Sequence, residues 1–425
     1  VLSGPSTGVV AAQAIGARGG FDDIITFDMG GTSSDVALMA GGETTQTNES
    51  IVHGYPIKAP MLDIHTVGAG GGSIATIDSG GLLKVGPESA GADPGPVCYG
   101  RGATEPTVTD ANIVLQVLNP VEILDGRMKV HRDLAVEAIG KMAEKLGMET
   151  MDVAQGIISV VTANMAKAIR VISVQRGHDP RNYALMAFGG AGPLHAVRLA
   201  QELGMTTVVI PRNPGILCAM GLLLTDLRAD FSTTKLVALD AGNLDTIADA
   251  MSKVEDEAAG WFASEAIPAD KQMTTRRVDM RYDGQNYELS IPLPDGPVTA
   301  ETLVALEKGF TEAHERMYGF AVPEERILCV TFRAEAMGLV KKAELPERPL
   351  GDADASGAVI GSREVWYPET GAFTETTLYA RDRLAPGNVF QGPAIVEQMD
   401  TTTLIPPGVT ARVDTIDNLI LELSA

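Results

Sequence analysis

At residues 24–39 the chain carries the sequence IITFDMGGTSSDVALM. Residues 24–27 are apolar or β-branched and predict a buried strand, while residues 35–39 predict a second strand that leaves the glycine pair. Two glycines between strands leave backbone N–H groups free to face a ligand, with no β-carbon in the way, and Thr32 adds a hydroxyl donor. This pattern predicts a β-hairpin whose turn holds phosphate.

An aspartate stands on each side of this turn. A carboxylate is not a phosphate ligand by itself, but Asp28 and Asp35 are suited to hold magnesium-bound water or to position an attacking water. No Gly-Lys-Ser/Thr follows the glycines, so the turn is not a Walker A loop. An ordinary hairpin with solvated aspartates fits equally well, and the turn alone leaves both interpretations open.

A second glycine loop, Gly-Gly-Ala-Gly, occupies residues 189–192. It follows a predicted strand at residues 183–188 and precedes a predicted helix with Pro193 in its first turn. A glycine surface at a helix N-terminus lets a nucleotide approach the backbone, and the helix dipole favours anions. Helix–strand packing also selects glycine, so this loop alone is a weak signal. Two such loops, each after a predicted buried strand, strengthen the phosphate interpretation.

The order of predicted elements divides the chain into three regions. Residues 1–235 alternate strand, glycine turn, helix and strand, which favours an α/β layer architecture. Residues 236–345 contain two amphipathic helical stretches and strand-like runs, and predict an α+β region. Residues 346–425 are dominated by β patterns and predict a small β-rich C-terminal domain.

Composition excludes some partners. The 425 residues include 33 Lys and Arg against 55 Asp and Glu, a net charge of −22, so we expect no nucleic-acid partner. No apolar run approaches the ~20 residues that cross a bilayer, and we expect no membrane partner. The three cysteines are far apart in sequence, which fits a reducing cytoplasm.

Six motifs together resemble the hydantoinase A / 5-oxoprolinase family, which includes ATP-dependent hydantoinases, N-methylhydantoinases and relatives of the acetone and acetophenone carboxylases. They are DMGGTSSD at 28–35, HTVGAGGGS at 65–73, VGPESAGADPGP at 85–96, TVTDAN at 107–112, FGGAGPLHA at 188–196 and GPAIVE at 392–397. Because several long motifs occur in the family's order along most of the chain, the sequence is identified as a member.

The resemblance implies an actin-like ATPase lobe of the hexokinase/Hsp70 type, in which two related lobes close over Mg-ATP. It implies that Asp28 lies near the magnesium ion or the γ-phosphate and that Asp35 belongs to the second phosphate loop. The residues expected to contact the nucleotide are Gly30, Gly31, Thr32 and Ser33 in the hairpin, Gly70 and Gly71 close to the cleft, and Gly189, Gly190 and Gly192 in the adenosine-side loop.

Whole family members carry a first hairpin of similar form a few hundred residues before the second. This sequence contains one copy and begins without methionine, so we expect the first ATPase lobe to be missing from it. Whether that lobe is cut off, separately encoded or absent stays open. A hydantoinase B-type subunit or domain is the other partner that the resemblance implies.

The chemistry implied by the resemblance is ATP-dependent phosphorylation of an amide or ketone oxygen. The first hypothesis is a cyclic-amide hydrolase acting on hydantoin, 5-oxoproline or another lactam. The second is the nucleotide-binding subunit of a ketone carboxylase, and the third is a non-catalytic actin-like lobe. The shared ATPase motifs do not separate the first two.

Two histidines flank glycine loops. His65 and His195 are each placed to donate to phosphate or substrate, and each also fits a structural role. Asp63, two residues before His65, adds the hypothesis of a metal pair on one strand face, although two ligands do not define a site.

Overall fold

The chain folds into two compact units in a computed structural model that describes residues 3–47, 50–52, 55–57, 61–322 and 324–423. The first unit combines Val1–Leu224 with Glu344–Ala425, and the second is Thr225–Ala343. The described residues form the α-helices α1 Ser3–Gly19, α2 Val108–Val114, α3 Arg132–Leu146, α4 Thr150–Ile172, α5 Gly192–Leu203, α6 Leu217–Leu222, α7 Leu244–Ser264 and α8 Ala300–Tyr318.

The strands are numbered in chain order. They are β1 Ile24–Met29, β2 Ser34–Ala40, β3 Glu43–Thr44, β4 Gln46–Thr47, β5 Ser50–Val52, β6 Tyr55–Ile57, β7 Met61–Leu62, β8 Ile64–Val67, β9 Ser73–Ile77, β10 Leu83–Ser89, β11 Glu122–Ile123, β12 Met128–Lys129, β13 Ala184–Phe188, β14 Thr207–Ile210, β15 Leu227–Ala238, β16 Gln272–Tyr282, β17 Leu289–Pro292, β18 Ile327–Gly338, β19 Val359–Tyr367, β20 Ala372–Ala380, β21 Val389–Gln391, β22 Ala394–Gln398, β23 Thr401–Ile405, β24 Thr410–Val413 and β25 Leu419–Glu422.

A mixed sheet forms the centre of the first unit. Its strand order is β21-β24-β25-β14-β13-β1-β2-β3, with β8 also paired to β2. Strand β1 is antiparallel to β2 and parallel to β13, and β13 is parallel to β14. The carboxyl ends of the three parallel strands therefore meet at one edge of the sheet, the place where α/β sheets bind ligands. Both predicted glycine loops leave the sheet at this edge.

Both faces of this sheet are covered, which explains why β1 and β13 are apolar along their whole length. Alternate residues of β1, such as Ile25 and Phe27, pack into a core with α2, α3, α4 and α5. Ile24 on β1 and Met186 on β13 point to the opposite face and pack against α1 and α6. The period-two alternation of a strand thus places one set of side chains in each core.

Helix α4 lies in the first of these cores. Residues 150–176 are, by length and composition alone, able to cross a membrane, and no second helix in the described part of the chain has this property. This differs from the expectation that no apolar run approaches that length. Ile157, Val161 and Met165 repeat every four residues on one face of the helix and are buried in the core, which accounts for its apolar character.

The C-terminal residues complete the main sheet. Strand β25 pairs antiparallel with β14, β24 pairs with β25, and β19, β20, β22 and β23 form a second sheet in the same unit. Residues from 344 onward thus belong to the first compact unit, whereas the sequence pattern predicts a separate domain at 346–425. Without β25, the backbone edge of β14 would lack its second partner.

The second unit has its own core. Strands β15, β18, β16 and β17 form an antiparallel sheet in that order. Apolar residues of α7 and α8, among them Met251 and Phe310, pack with sheet residues such as Phe332. The unit is therefore an α+β structure that begins at residue 225 and ends at residue 343.

We expect Gly221→Ala to lower the free energy of unfolding by about 1–3 kcal/mol, the usual effect of overpacking. A Cβ at this position of α6 would collide with the carbonyl oxygen of Thr7 on α1. Gly4→Ala on α1 is the matched control, because its Cβ would have no neighbour within 4 Å. Urea unfolding followed by circular dichroism measures both; equal midpoints would contradict the close packing of α1 and α6.

Candidate functional site

The hairpin turn between β1 and β2 presents open backbone. The N–H of Gly30 donates to the carbonyl oxygen of Ser33 at 3.1 Å, which closes the turn. Gly31 and Thr32 at its tip are exposed, and a Cβ on Gly31 would meet nothing within 4 Å. Within the described residues, the N–H groups of Gly31, Thr32 and Ser33 donate no hydrogen bond. The turn therefore has backbone N–H groups available to an anion, which a phosphate-binding hairpin needs.

The glycine loop at residues 68–73 packs against this turn and donates hydrogen bonds to its backbone. The N–H of Gly71 donates to the oxygen of Gly30 at 3.1 Å, and that of Gly72 donates to the oxygen of Gly31 at 2.6 Å. A Cβ on Gly70 would lie 2.6 Å from the nitrogen of Thr32, so only glycine allows this approach. Gly70 is thus packed under the turn, while Gly71 lies on the wall of a cavity described below.

The third glycine segment, residues 189–192, packs against the end of β1. Gly189 has φ +80°, and a Cβ there would collide with Asp28 Oδ1 and the oxygen of Met29. The N–H of Ala191 donates to that same oxygen of Met29 at 2.9 Å. Helix α5 then begins at Gly192, with its N-terminus at the hairpin. The three glycine segments that the sequence singles out therefore meet at one place.

The two aspartates of the hairpin lie opposite each other in the register of β1 and β2. Asp28 Oδ2 accepts a hydrogen bond from the thiol of Cys218 at 3.1 Å, and Asp35 Oδ1 accepts one from the hydroxyl of Thr66. Burial raises the pKa of both carboxyl groups, and the charge of Asp35 raises the pKa of Asp28 further. Burial, together with the nearby charge of Asp28, raises the pKa of the Cys218 thiol to about 12.

The two carboxylates of the hairpin fit a magnesium ion that takes its other ligands from water and phosphate. Opposed carboxylates in a half-buried position repel each other, and a hard cation between them would relieve that repulsion. Within the described residues, no group of three or more His, Cys, Asp or Glu side chains is placed to hold a metal. Asp28 and Asp35 therefore suit Mg²⁺, which commonly binds one or two carboxylates plus waters and phosphates, and do not form a closed protein site.

A cavity of about 380 Å³ opens beside the turn. Gly30, Gly31 and Gly71 form one end, and Gly190 with Ala191 lies along its wall. The remaining wall comes from Tyr99, α2, the segment at residues 118–126 that includes β11, α5 and residues 397–402. Among the described residues, its lining contains the carboxylates of Glu122, Asp125, Glu397 and Asp400 and no Lys or Arg.

Residues 118–126 and 398–402 are parts of this wall that the sequence patterns do not single out. Thr401 Oγ1 donates to the oxygen of Gly190 at 3.0 Å, and Asp400 accepts from the N–H of Gly215 at 3.0 Å. The segment at residues 398–402 spans the junction of β22 and β23, and these bonds tie it to the glycine loop at Gly190 and to the turn before α6 at Gly215. The motif ending at Glu397 is the one sequence signal that lies beside it.

The two flanking histidines have different surroundings. His195 is buried on the cavity wall, its Nε2 lies 3.4 Å from Asn112 Nδ2, and burial lowers its pKa to about 4. His65 lies on β8 opposite Val36. Asp63 forms an ion pair with Arg176. The carboxylate of the hypothetical Asp63–His65 metal pair therefore already has a cationic partner.

We expect His195 to make the protein acid-sensitive. Its pKa in the folded chain, about 4, lies below the ordinary 6.5, so its contribution to stability is complete above pH 6.5 and is lost as the pH falls toward 4. His195→Gln should therefore lose less unfolding free energy than the wild type between pH 7 and pH 5. Urea titrations at both pH values measure this, and identical losses in the two proteins would contradict it.

Comparison with known proteins places these features in a family. A family model described as hydantoinase/oxoprolinase matches residues 1–231, and a model described as hydantoinase/oxoprolinase C-terminal domain matches residues 238–424. The chain belongs to the hydantoinase/oxoprolinase family. The first match contains the hairpin and both other glycine segments, and the second contains residues 397–402.

Relatives within the hydantoinase/oxoprolinase family are longer than this chain. The caprolactamase subunit alpha of Pseudomonas jessenii is 36% identical over 418 residues, covering 97% of this chain and 60% of the relative. The acetophenone carboxylase gamma subunit of Aromatoleum aromaticum is 35% identical over 432 residues, covering 99% of this chain and 59% of the relative. The nucleotide-free structure of acetone carboxylase aligns with a TM-score of 0.90 at 27% identity, covering 99% of this chain and 61% of that one.

Proposed function

We propose that this chain is the nucleotide-binding part of an ATP-dependent enzyme that activates a cyclic amide by phosphorylating its oxygen before ring opening. One observation carries the proposal: three glycine segments meet at the carboxyl edge of the sheet, where two opposed carboxylates flank the hairpin turn and a cavity lined by Gly30 and Gly31 opens beside it. Backbone donors, carboxylates and an adjacent pocket are the parts that a magnesium–nucleotide site requires.

The phosphate end of the site would be the hairpin turn. The unused N–H groups of Gly31 and Thr32 would donate to phosphate oxygens, and the N-terminus of α5 adds its positive dipole at the same place. Asp28 and Asp35 would hold Mg²⁺ through its waters. The ion would neutralise the negative charge that develops on the transferred phosphoryl group. Gly70 would act indirectly, since it supports the turn.

The nucleoside end would be the 380 Å³ cavity. Carboxylates such as Asp125 and Asp400 are suitable acceptors for ribose hydroxyls, as in dinucleotide sites. Apolar residues including Leu118 and Leu194, with the amide of Asn112, suit a purine base. The absence of Lys and Arg from the lining favours an uncharged group here and keeps the phosphates at the turn.

We further propose an actin-like arrangement in which a second lobe closes over the hairpin. The exposed tip at Gly31 and Thr32 leaves one side of any bound phosphate uncovered by this chain. The chain spans 60% of the caprolactamase subunit and 59% of the carboxylase subunit, so those relatives have room for such a lobe. Both relatives are named as subunits, which supports a further partner such as a hydantoinase B-type subunit.

Ketone carboxylation is the second candidate reaction. The acetone carboxylase structure matches this chain with a TM-score of 0.90, and the acetophenone carboxylase subunit is nearly as similar in sequence as the caprolactamase subunit. Both reactions would use the same residues of this chain to phosphorylate an oxygen. They differ in what attacks next, water or a carboxylating species.

Two assays on the same preparation separate these reactions. The chain is combined with an upstream lobe and a B-type subunit of the family and supplied with Mg-ATP. ADP formation that rises with caprolactam, hydantoin or 5-oxoproline, together with ring-opened product, supports the proposal. Incorporation of labelled bicarbonate into acetone or acetophenone supports the second candidate. Absence of ADP formation, of ring-opened product and of labelled product with all of these compounds would overturn both and favour a non-catalytic lobe.

A further inference from the structure

Helix α6 brings a thiol to one of the two hairpin carboxylates. Cys218 Sγ donates to Asp28 Oδ2 at 3.1 Å, and no other hydrogen bond to this carboxylate is present among the described residues. The second oxygen, Oδ1, lies against the backbone of Gly189 in the glycine segment. The thiol therefore occupies one oxygen of Asp28 and leaves the other at the candidate site.

We propose that Cys218 is a positioning residue, which orients the carboxylate of Asp28 toward the magnesium–nucleotide site by donating a hydrogen bond to Oδ2. This inference rests on the proposed function, since it concerns the same site. It assigns Cys218 no contact with nucleotide or substrate.

The packing around Cys218 leaves the thiol little freedom. A Cβ on Gly8 of α1 would lie 2.7 Å from its sulfur and 2.9 Å from the ring of Phe188, so the sulfur is packed closely against α1. Leu217, the preceding residue, is buried in the core between α1, α6 and the sheet. The thiol is thus fixed by the fold before any ligand binds.

The turn that leads into α6 is fixed to the same glycine segment. The oxygen of Pro214 accepts the N–H of Gly189 at 3.0 Å, and the N–H of Gly215 donates to Asp400 at 3.0 Å. Hydrogen bonds therefore connect the turn before Cys218 to the loop that lines the site. A hydrogen-bond donor held in this way keeps the carboxylate of Asp28 in one rotamer. Hydrogen bonds from residues outside the ligand shell orient metal ligands in the same manner.

The other hairpin carboxylate has a comparable arrangement. Thr66 Oγ1 on β8 donates to Asp35 Oδ1. Each aspartate thus has one oxygen that accepts a hydrogen bond from a side chain of a different element and one oxygen that accepts none from the described residues. The two carboxylates thus share one pattern, which leaves one oxygen of each available to a shared ligand.

The test compares three variants by calorimetric titration of Mg-ADP, and of ADP with EDTA, into the chain combined with the upstream lobe. Cys218→Ala removes the donor, Cys218→Ser keeps a donor of similar size, and Ala219→Ser alters an exposed neighbour on α6 as control. We expect Cys218→Ala to weaken Mg-ADP binding about tenfold with little change for metal-free ADP. Cys218→Ser and Ala219→Ser should stay within about threefold of the wild type in both titrations.

The ratio of the two affinities separates positioning from general damage. A misfolded or loosened site would weaken both ligands equally, whereas loss of Asp28 orientation weakens the magnesium complex. An unchanged ratio in Cys218→Ala, or a Cys218→Ser variant that behaves like Cys218→Ala, would overturn the inference while leaving the proposed function intact. A wild type that binds neither ligand would overturn the proposed function and the inference with it.

Discussion

Replacing Asp28 by asparagine is expected to lower ATP turnover at least about 100-fold, the range found when one preorganised electrostatic group is removed from an active site. The change keeps the size of the side chain and an oxygen that can accept from Cys218. It removes the charge that would hold the magnesium ion beside Asp35. The same variant should fold at least as well as the wild type.

The stability expectation follows from the direction of the pKa shift. Burial raises the pKa of Asp28, so ionising this carboxyl group costs more in the folded chain than in the unfolded chain, and its charge at pH 7 destabilises the fold. An amide removes that penalty. Turnover in the assembled enzyme and urea unfolding of the chain measure the two effects, with Asp22→Asn, an exposed carboxylate before β1, as control. Normal turnover in Asp28→Asn would show that the turn is wrongly assigned.

Gly31→Val is expected to abolish Mg-ATP binding while leaving the fold intact. A Cβ on Gly31 meets no atom within 4 Å, and its φ is not in the left-handed region, so the backbone accepts valine. The added methyl groups would then occupy the space above the turn where phosphate is proposed to lie. Calorimetric titration of Mg-ATP, in the presence of the upstream lobe, measures the loss.

Gly70→Ala provides the contrast. Its Cβ would lie 2.6 Å from the nitrogen of Thr32, so the substitution forces the supporting loop and the turn apart. We expect this variant to lose unfolding free energy, by about 1–3 kcal/mol, as well as nucleotide affinity. If Gly31→Val binds Mg-ATP normally, or unfolds as readily as Gly70→Ala, the open face of the turn is not the ligand side.

The parts of the site that the sequence predicts are those encoded locally. The hairpin at residues 24–39 follows from two apolar runs and a glycine pair, and β1 and β2 form there with Asp28 opposite Asp35. The strand, glycine loop and helix at residues 184–203 are equally local, with Gly204 ending the helix in the left-handed conformation. Each pattern is completed within about twenty residues, so neighbouring side chains carry the information.

The parts that sequence patterns miss depend on distant partners. Helix α1 contains Gly4, Gly8 and Gly16, which are poor helix formers, and its formation depends on packing against α6 and the sheet. Strand β25 joins β14 from the other end of the chain, and Thr401 reaches Gly190 in the same way. No local periodicity encodes such pairings, which is why the sequence pattern predicts residues 346–425 as a separate domain.

The most direct test of the account is a calorimetric titration of Mg-ATP into this chain, alone and mixed with the upstream part of a longer relative, which we propose to be the second lobe. The account predicts binding in the mixture, with little or none to the chain alone, because the hairpin supplies one face of the phosphate site. Absence of binding in both titrations would contradict it and leave the hairpin and its cavity without a nucleotide.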